Sequence, residues 1–381
     1  MDFTLTDEQQ LLEDTVARLV RERWSFARRT GLAGFSGETW ALMAELGLLA
    51  VPFGHEDGGI DGGGTELMIL HRAFGRGLAP EPYLSTVVLG AGLVQQLGNA
   101  EQRNAILAEV IAGRRLLALA FLEPSGRYDA SWVETEAVRE GTAYRLTGRK
   151  AVVLYGDGAD QLVVTARTSG NTTDRDGISA FVLDAGQAGV MVRGYPTIDG
   201  LRAAEIELNG ARVPVDARLG PEGGAANALD QVLATGSAAL CAEAVGVMEV
   251  ACDLTLEHLK NRKQFGVPIG RFQALQHRMV DMRIALEKSM SMAILAASSL
   301  KAPPAEREQR ICAARYFIGK AGRFIAEQAI QLHGGIGMTD EAAISHYAKR
   351  LVMIDHWLGD TDHHLDRFIA LTDAPAAAAG R

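Results

Sequence analysis

The hydrophobic period of this chain changes twice, and that limits what it can fold into. Apolar residues recur at three- and four-residue steps over about 1–115. They fall into short alternating runs over about 116–224, and the helical spacing returns over about 225–372. A stripe with a period of 3.6 cannot line one face of a strand, and an alternating run cannot line one face of a helix. The sequence therefore predicts a helical block, a β block and a second helical block in that order.

Within the first block, Thr6 and Gln9 form a capping box ahead of Leu11, Leu12, Val16, Leu19 and Val20, which share one helical face. Trp40, Met43 and Leu46 repeat the pattern until Val51-Pro52 stops it, and another helix begins near Thr65. The six glycines between Gly54 and Gly64 read as a flexible connection. In the middle block, strands are predicted at Val133–Val138, Tyr144–Thr147, Val152–Leu154, Leu162–Thr165, Phe181–Leu183, Val190–Val192 and Ile206–Leu208. Short strands at this spacing suggest a compact antiparallel barrel or sandwich. In the last block, Leu275, Met279, Met282, Leu286 and Met290 form a core stripe. Ala238, Ala239, Ala242 and Ala244 allow helices to approach closely, and Lys301-Ala-Pro-Pro304 separates two long helices of a bundle. The tail, 373–381, is expected to be disordered.

Composition excludes several function classes. The chain has 381 residues, enough for two or three packed units, and its net charge of −9 offers no footprint for nucleic acid or an anionic membrane. No apolar run is long enough for a transmembrane helix, and Met1-Asp2-Phe3-Thr4 lacks the layout of a signal peptide. Cys241, Cys252 and Cys312 match no metal spacing and read as reduced, mostly buried thiols of a cytoplasmic protein.

Two motifs carry candidate binding chemistry. Gln331-Leu-His-Gly-Gly-Ile-Gly-Met-Thr339 places Gly334, Gly335 and Gly337 within four positions, where backbone can approach a ligand that a Cβ would hold away. Arg262-Lys-Gln-Phe-Gly266 offers a guanidinium for a bidentate grip on phosphate. The glycines do not follow a strand as a Rossmann fingerprint requires, and a tight turn between two helices explains them equally well. The run of acids and histidines from Asp355 to Asp366 matches no zincin or facial-triad spacing, so no metal site is expected there.

Taken in order, these motifs resemble the acyl-CoA dehydrogenase family over essentially the whole chain. The resemblance rests on Met1-Asp-Phe-x-Leu-Thr-x-Glu-Gln9, Glu123-Pro124 followed by Asp129, Arg262-x-x-Phe265-Gly266, Phe272-Gln273 and Gln331-x-x-Gly334-Gly335-Ile-Gly337. It implies a mainly α fold with a central β domain: an N-terminal helical domain (1–115), an antiparallel barrel-like domain (116–224) and a C-terminal four-helix bundle (225–372). It also implies FAD, bound between one subunit's β domain and its neighbour's bundle, with Arg262, Phe265, Gln273, Gln331, Gly334 and Gly335 reaching the neighbour's FAD. The substrate it implies is an acyl-CoA thioester, desaturated between Cα and Cβ, and the electron acceptor an electron-transfer flavoprotein.

Such chemistry needs a carboxylate to take the α-proton, because a C–H beside a carbonyl is a far weaker acid than a carboxylic acid. The family's base is usually a Glu in a Tyr-Glu-Gly-Thr segment. Counting back from Arg367 without a gap puts Asp360 on that position. Some members carry the base early in the first bundle helix, where this chain has Gly236 and Ser237, with Glu243 the nearest acid. Glu243 is thus either an alternative base or a buried acid paired with a neighbouring helix.

Leu122 stands where the family often has the Thr that touches flavin, Tyr128 where a Ser usually binds CoA, and Val152 where a Trp covers the ring. The groups lent to a neighbour remain. This division resembles partner subunits of heteromeric bacterial acyl-CoA dehydrogenases, above all the small subunit of pimeloyl-CoA dehydrogenase and related steroid-degrading enzymes. It implies a larger homologous subunit as partner. Three readings follow: an active dehydrogenase, a non-catalytic subunit that completes FAD sites in trans, or another flavin oxidation on the same fold, such as nitroalkane oxidation.

Overall fold

A computed structural model describes residues 4–24, 26 and 35–379, with 374–379 described as backbone alone. The chain divides into two compact units, one of Met1–Ala33, Gly63–Ala79 and Ser237–Arg381, the other of Gly34–Gly62 and Pro80–Gly236. The boundary falls inside one long helix.

The first unit contains α1 (Asp7–Arg23), α3 (Gly64–Gly77), most of α6 (Ala226–Asn261), α7 (Gln273–Ser298), α8 (Pro304–His333), α9 (Ala343–His356) and α10 (Thr361–Ala379). The expected capping box opens α1: the Gln9 N–H donates to Thr6 Oγ1 at 3.2 Å, and the Thr6 N–H donates to Gln9 Oε1 at 3.0 Å. Pro304 occupies the first position of α8, where its missing N–H costs nothing. α7, α9 and α10 all pack along α8. Helix α3 meets α6 through reciprocal glycines: a Cβ on Gly75 would lie 2.1 Å from the Glu243 carbonyl oxygen, and one on Gly246 2.0 Å from that of Arg72. Of the predicted stripe on α7, Met282 and Leu286 are buried, whereas Leu275, Met279 and Met290 are half-buried. The backbone of α10 continues to Ala379, so it enters the tail that the sequence leads one to expect as disordered; residues 380 and 381 lie outside the described residues.

The second unit holds α2 (Gly37–Glu45), α4 (Gly92–Leu97), α5 (Ala100–Ile111) and eight strands: β1 (Leu117–Ala120), β2 (Glu136–Glu140), β3 (Ala143–Leu154), β4 (Gln161–Arg167), β5 (Ile178–Asp184), β6 (Val190–Pro196), β7 (Arg202–Pro214) and β8 (Arg218–Leu219). They form one sheet in the order β6-β7-β3-β2-β4-β5-β8, with β1 alongside β4. The β block is where the period change puts it, but the sheet is mixed and open rather than an antiparallel barrel. β1 and β4 run parallel, which requires a crossover between them, and the β6 and β8 edges do not meet. The core of this sheet comprises residues such as Tyr144, Leu146, Leu162, Val164, Phe181, Ile206, Leu208 and Val213.

The loop from Gly54 to Gly62 differs from the flexible connection read in the sequence. Backbone bonds from Gly59 to Gly54 (2.9 Å), Asp61 to Phe53 (2.8 Å) and Gly62 to Val51 (2.7 Å) fix it. A Cβ on Gly59 would sit 2.0 Å from the Phe53 carbonyl oxygen, so that glycine serves close packing.

Lys150, fully buried on β3, donates to Glu123 Oε1 at 2.7 Å. Glu123 also accepts the Glu134 N–H at 2.6 Å and the Thr135 N–H at 3.0 Å, so one carboxylate ties the 121–124 segment to the approach to β2. Burial works against the Glu123 charge, but the Lys150 ammonium and these donors outweigh it and hold its pKa below the ordinary carboxylate value. A carboxylate with a lowered folded-state pKa stabilises the fold above its unfolded value of about 4.3, and that contribution is lost as pH falls through the folded value. Lys150→Met, which strands a buried carboxylate, is expected to destabilise the protein by about 3–5 kcal/mol at neutral pH. Denaturant unfolding should show this deficit shrinking as pH falls from neutral towards the lowered Glu123 value, because the stranded carboxylate takes up a proton before the paired one does; a small or pH-independent deficit would contradict the pairing.

Candidate cofactor site

At one end of the first unit, α6 runs out at Asn261 and the chain makes a tight hairpin of β9 (Lys263–Gln264) and β10 (Val267–Pro268). Its two turn residues, Phe265 and Gly266, have φ of 54° and 80°, the left-handed pair of a type I′ turn. Glycine takes this conformation freely; phenylalanine does so at a cost. Phe265 is nevertheless 91% exposed, touching the exposed Phe272 edge-on with ring centroids 6.2 Å apart. Arg262 is exposed too. Its N–H donates to the His258 carbonyl at 2.8 Å and its carbonyl accepts from Ile269 at 2.8 Å, while its guanidinium has no partner among the described residues. Gln273 is the first residue of α7, directly after Phe272, and is exposed.

The end of α8 lies beside this hairpin. His333 stacks on His258 with ring centroids 4.4 Å apart, which brings the Gln331 segment next to the Arg262 turn. Gln331, Gly334 and Gly335 are exposed, and Gly334–Met338 form a 3₁₀ turn leading towards α9. A Cβ on Gly334 or Gly335 would meet nothing within 4 Å, so the backbone there is open to a ligand. Gly337 is different: a Cβ would come within 2.9 Å of the His333 Cβ, so this glycine serves packing. All six residues expected to hold a cofactor therefore lie on the hairpin, the start of α7 and the end of α8, facing solvent. A free guanidinium, an exposed aromatic face, a glutamine amide and bare backbone suit the phosphates and adenine of a dinucleotide.

The carboxylates expected as bases occupy different environments. Glu243 is buried on α6 and bound by Arg350 of α9, with Nε at 2.7 Å and Nη2 at 2.6 Å from Oε1; His71 Nδ1 lies 3.7 Å from Oε2. Burial opposes its charge, but Arg350 and His71 hold its pKa below the ordinary value. In this arrangement its carboxylate is the ion-pair partner of Arg350. Asp360 is half-buried and caps α10, accepting the His363 N–H on Oδ1 at 2.8 Å; its other oxygen has no partner among the described residues. The turn that presents Asp360 is held by Arg315, buried on α8, whose Nη2 donates to the carbonyls of Ile354 (2.9 Å), Trp357 (2.7 Å) and Gly359 (2.8 Å). Arg350 also lies over the Trp357 ring at 4.2 Å. The acid- and histidine-rich segment is thus a helix cap: Thr361 donates to Asp355 at 2.7 Å, and His364 is buried and kept neutral, first by burial and then by Arg315.

In the second unit, the Ala151 N–H donates to the Leu122 carbonyl at 2.9 Å, and β3 bulges between Lys150 and Val153. The bulge puts Val152 at φ 51° with its side chain partly exposed. A β-branched residue in that region is strained, and such strain collects at ligand-facing positions.

Sequence reasoning did not find Arg315, Arg350, His71 or the histidine stack. Arg315 lies among Ile311, Cys312, Ala314 and Ile318, all buried, so a cation on the apolar face of a helical pattern was the available signal. Among the described residues no group of three or more His, Cys, Asp or Glu side chains is arranged for a metal ion, and no helix is long and apolar enough to cross a membrane. The three cysteines are buried and unbridged.

Comparison with known proteins agrees with this architecture. Profiles for the N-terminal, middle and C-terminal domains of acyl-CoA dehydrogenase match residues 6–114, 118–211 and 222–370. The chain is 29% identical to the probable acyl-CoA dehydrogenase YngJ of Bacillus subtilis, over 97% of this chain and 98% of that one. It is 30% identical to the caffeyl-CoA reductase-Etf complex subunit CarC of Acetobacterium woodii, over 81% and 82% of the two chains. It superimposes on a chain of the ChsE4-ChsE5 complex from Mycobacterium tuberculosis with a TM-score of 0.86 and 27% identity, covering 97% of this chain and 98% of that one. The chain belongs to the acyl-CoA dehydrogenase family, FAD-dependent oxidoreductases acting on CH–CH bonds.

Replacing Phe265 by Asn creates the Asn-Gly pair that a type I′ turn favours. Phe265→Asn is expected to raise the stability of the chain purified alone by about 0.5–1 kcal/mol, read from the urea midpoint. A lower midpoint would mean that the phenylalanine already has a stabilising contact within its own chain.

Proposed function

We propose that this chain is one subunit of a heteromeric acyl-CoA dehydrogenase, and that its hairpin and the end of α8 complete an FAD site across a subunit interface. The observation that carries the reading is the outward-facing set of Arg262, Phe265, Gln273, Gln331, Gly334 and Gly335, which has little to bind within its own chain. Arg262 would grip the pyrophosphate, with the Gln331–Gly335 segment against the adenine half. The two-protein complex among the solved relatives supports a larger homologue as partner, and the Etf-complex relative supports an electron-transfer flavoprotein as electron acceptor. Three buried, unbridged cysteines support a cytoplasmic setting.

Bound FAD supplies the acceptor for the β-hydride of an acyl-CoA. Asp360 is the group of this chain assigned to the α-proton: one oxygen is fixed by the His363 N–H at 2.8 Å and the other is left to act. Arg315 holds the turn that aims it. Negative charge develops on the thioester carbonyl as the proton leaves, so that oxygen needs hydrogen-bond donors. Glu243 is the alternative base, with a carboxylate already bound to Arg350. A second reading, a non-catalytic subunit that only completes its partner's sites, draws on Leu122, Tyr128 and Val152, which replace the family's flavin- and CoA-facing groups.

Two variants of the assembled enzyme separate these roles. Asp360→Asn keeps the helix cap and the flavin, and is expected to lower turnover by about 100-fold or more if Asp360 is the base. Arg262→Ala is expected to weaken flavin retention by about 10- to 150-fold, the equivalent of one charge-assisted hydrogen bond at about 1.5–3 kcal/mol. Near-normal turnover in Asp360→Asn would move the base to Glu243 or to the partner. Unchanged flavin content in Arg262→Ala would remove the cofactor assignment.

A further inference from the structure

His258 and His333 come from distant parts of the sequence and meet face to face, with centroids 4.4 Å apart and planes 29° apart. Each adjoins a segment assigned to the cofactor. His258 accepts the Arg262 N–H on its carbonyl, one helical turn before the hairpin. His333 ends α8, two residues after Gln331 and directly before Gly334. Both rings are half-buried, and His333 Nδ1 lies 2.8 Å from the Ala329 carbonyl, which fixes its tautomer with the proton on Nδ1.

We propose that the His258–His333 stack is a positioning pair that holds the Arg262–Phe265 hairpin and the Gln331–Gly335 segment in register for one FAD. The inference rests on the cofactor reading above and adds that the register depends on both imidazoles being neutral. Burial, then His333 and Arg262, keep the His258 pKa below the ordinary imidazole value; burial does the same for His333, against the Ala329 carbonyl. The charged groups acting on His258 are thus His333 and Arg262, both of one sign, and among the described residues no carboxylate is paired with either ring. Groups that are neutral in the site and protonate more readily outside it contribute fully above about pH 6.5, and progressively less as pH falls. Two stacked imidazolium rings repel, so acid parts the two segments.

The test follows flavin rather than turnover. The assembled complex is desalted between about pH 8 and pH 5, and retained FAD is read by absorbance for wild type, His258→Phe, His258→Ala and Arg262→Ala, with thermal unfolding as a check on folding. Wild type should shed flavin below about pH 6.5. His258→Phe keeps a ring but cannot take a proton, so it should hold flavin further into acid than wild type. His258→Ala should retain flavin about 2- to 10-fold less well at neutral pH, the range of one aromatic pair. Matching acid profiles for wild type and His258→Phe overturn the inference, as does unaltered retention in folded His258→Ala. If Arg262→Ala loses flavin while the histidine variants match wild type, this inference alone fails. If Arg262→Ala also keeps its flavin, the cofactor reading fails with it.

Discussion

A phenylalanine held almost wholly in water, in a left-handed turn, is disfavoured twice over, by its backbone and by its exposed ring. Phe265 is in that position, with φ 54° and 91% of its surface exposed. Among the described residues its ring contact is an edge-on one with Phe272. The same end of the unit carries the free Arg262 guanidinium and the open backbone of Gly334 and Gly335. A surface of this composition is stabilised when something outside the chain covers it, and the subunit reading follows from that imbalance.

The buried polar groups, by contrast, fix loops and join helices. Arg315 donates to three carbonyls of one turn, and Glu123 with Lys150 fixes the segment beside the β3 bulge. Glu243, Arg350 and Trp357 connect α6 to the end of α9. Charges buried in this way add little net stability compared with apolar residues, but they tolerate few alternative arrangements of the backbone they bind. Arg315 and Lys150 sit in regular helix and strand but act beside stretches with glycines, turns and positive φ values, such as Leu358, Gly359 and Val152, whereas Glu243 and Arg350 join two helices directly.

Much of this was legible in the sequence because hydrophobic period reports directly on element type. The capping box at Thr6 and the break at Pro304 are local signals, and both helices begin where those signals put them. Strand β1 was not legible. Leu117-Ala-Leu-Ala120 is buried on both faces, so it shows no alternation, and its residues favour helix. Tyr144–Thr147 and Val152–Leu154 read as two strands because a bulge shifts the register inside a single one, β3. Site residues on short motifs, such as Arg262 and Gly334, were visible. Arg315, Arg350 and the histidine pair were not, because their meaning lies in contacts between elements far apart in the chain.

The central claim is that this chain supplies part of a cofactor site that another subunit completes. The most direct measurement is the ratio of FAD to protein, by flavin absorbance and native mass spectrometry, for the chain purified alone and after co-expression with a larger homologue. The account predicts little or no flavin on the chain alone, and a yellow hetero-oligomer with fewer than one FAD per chain. A homotetramer of this chain alone, carrying one FAD per chain and desaturating an acyl-CoA, would contradict it.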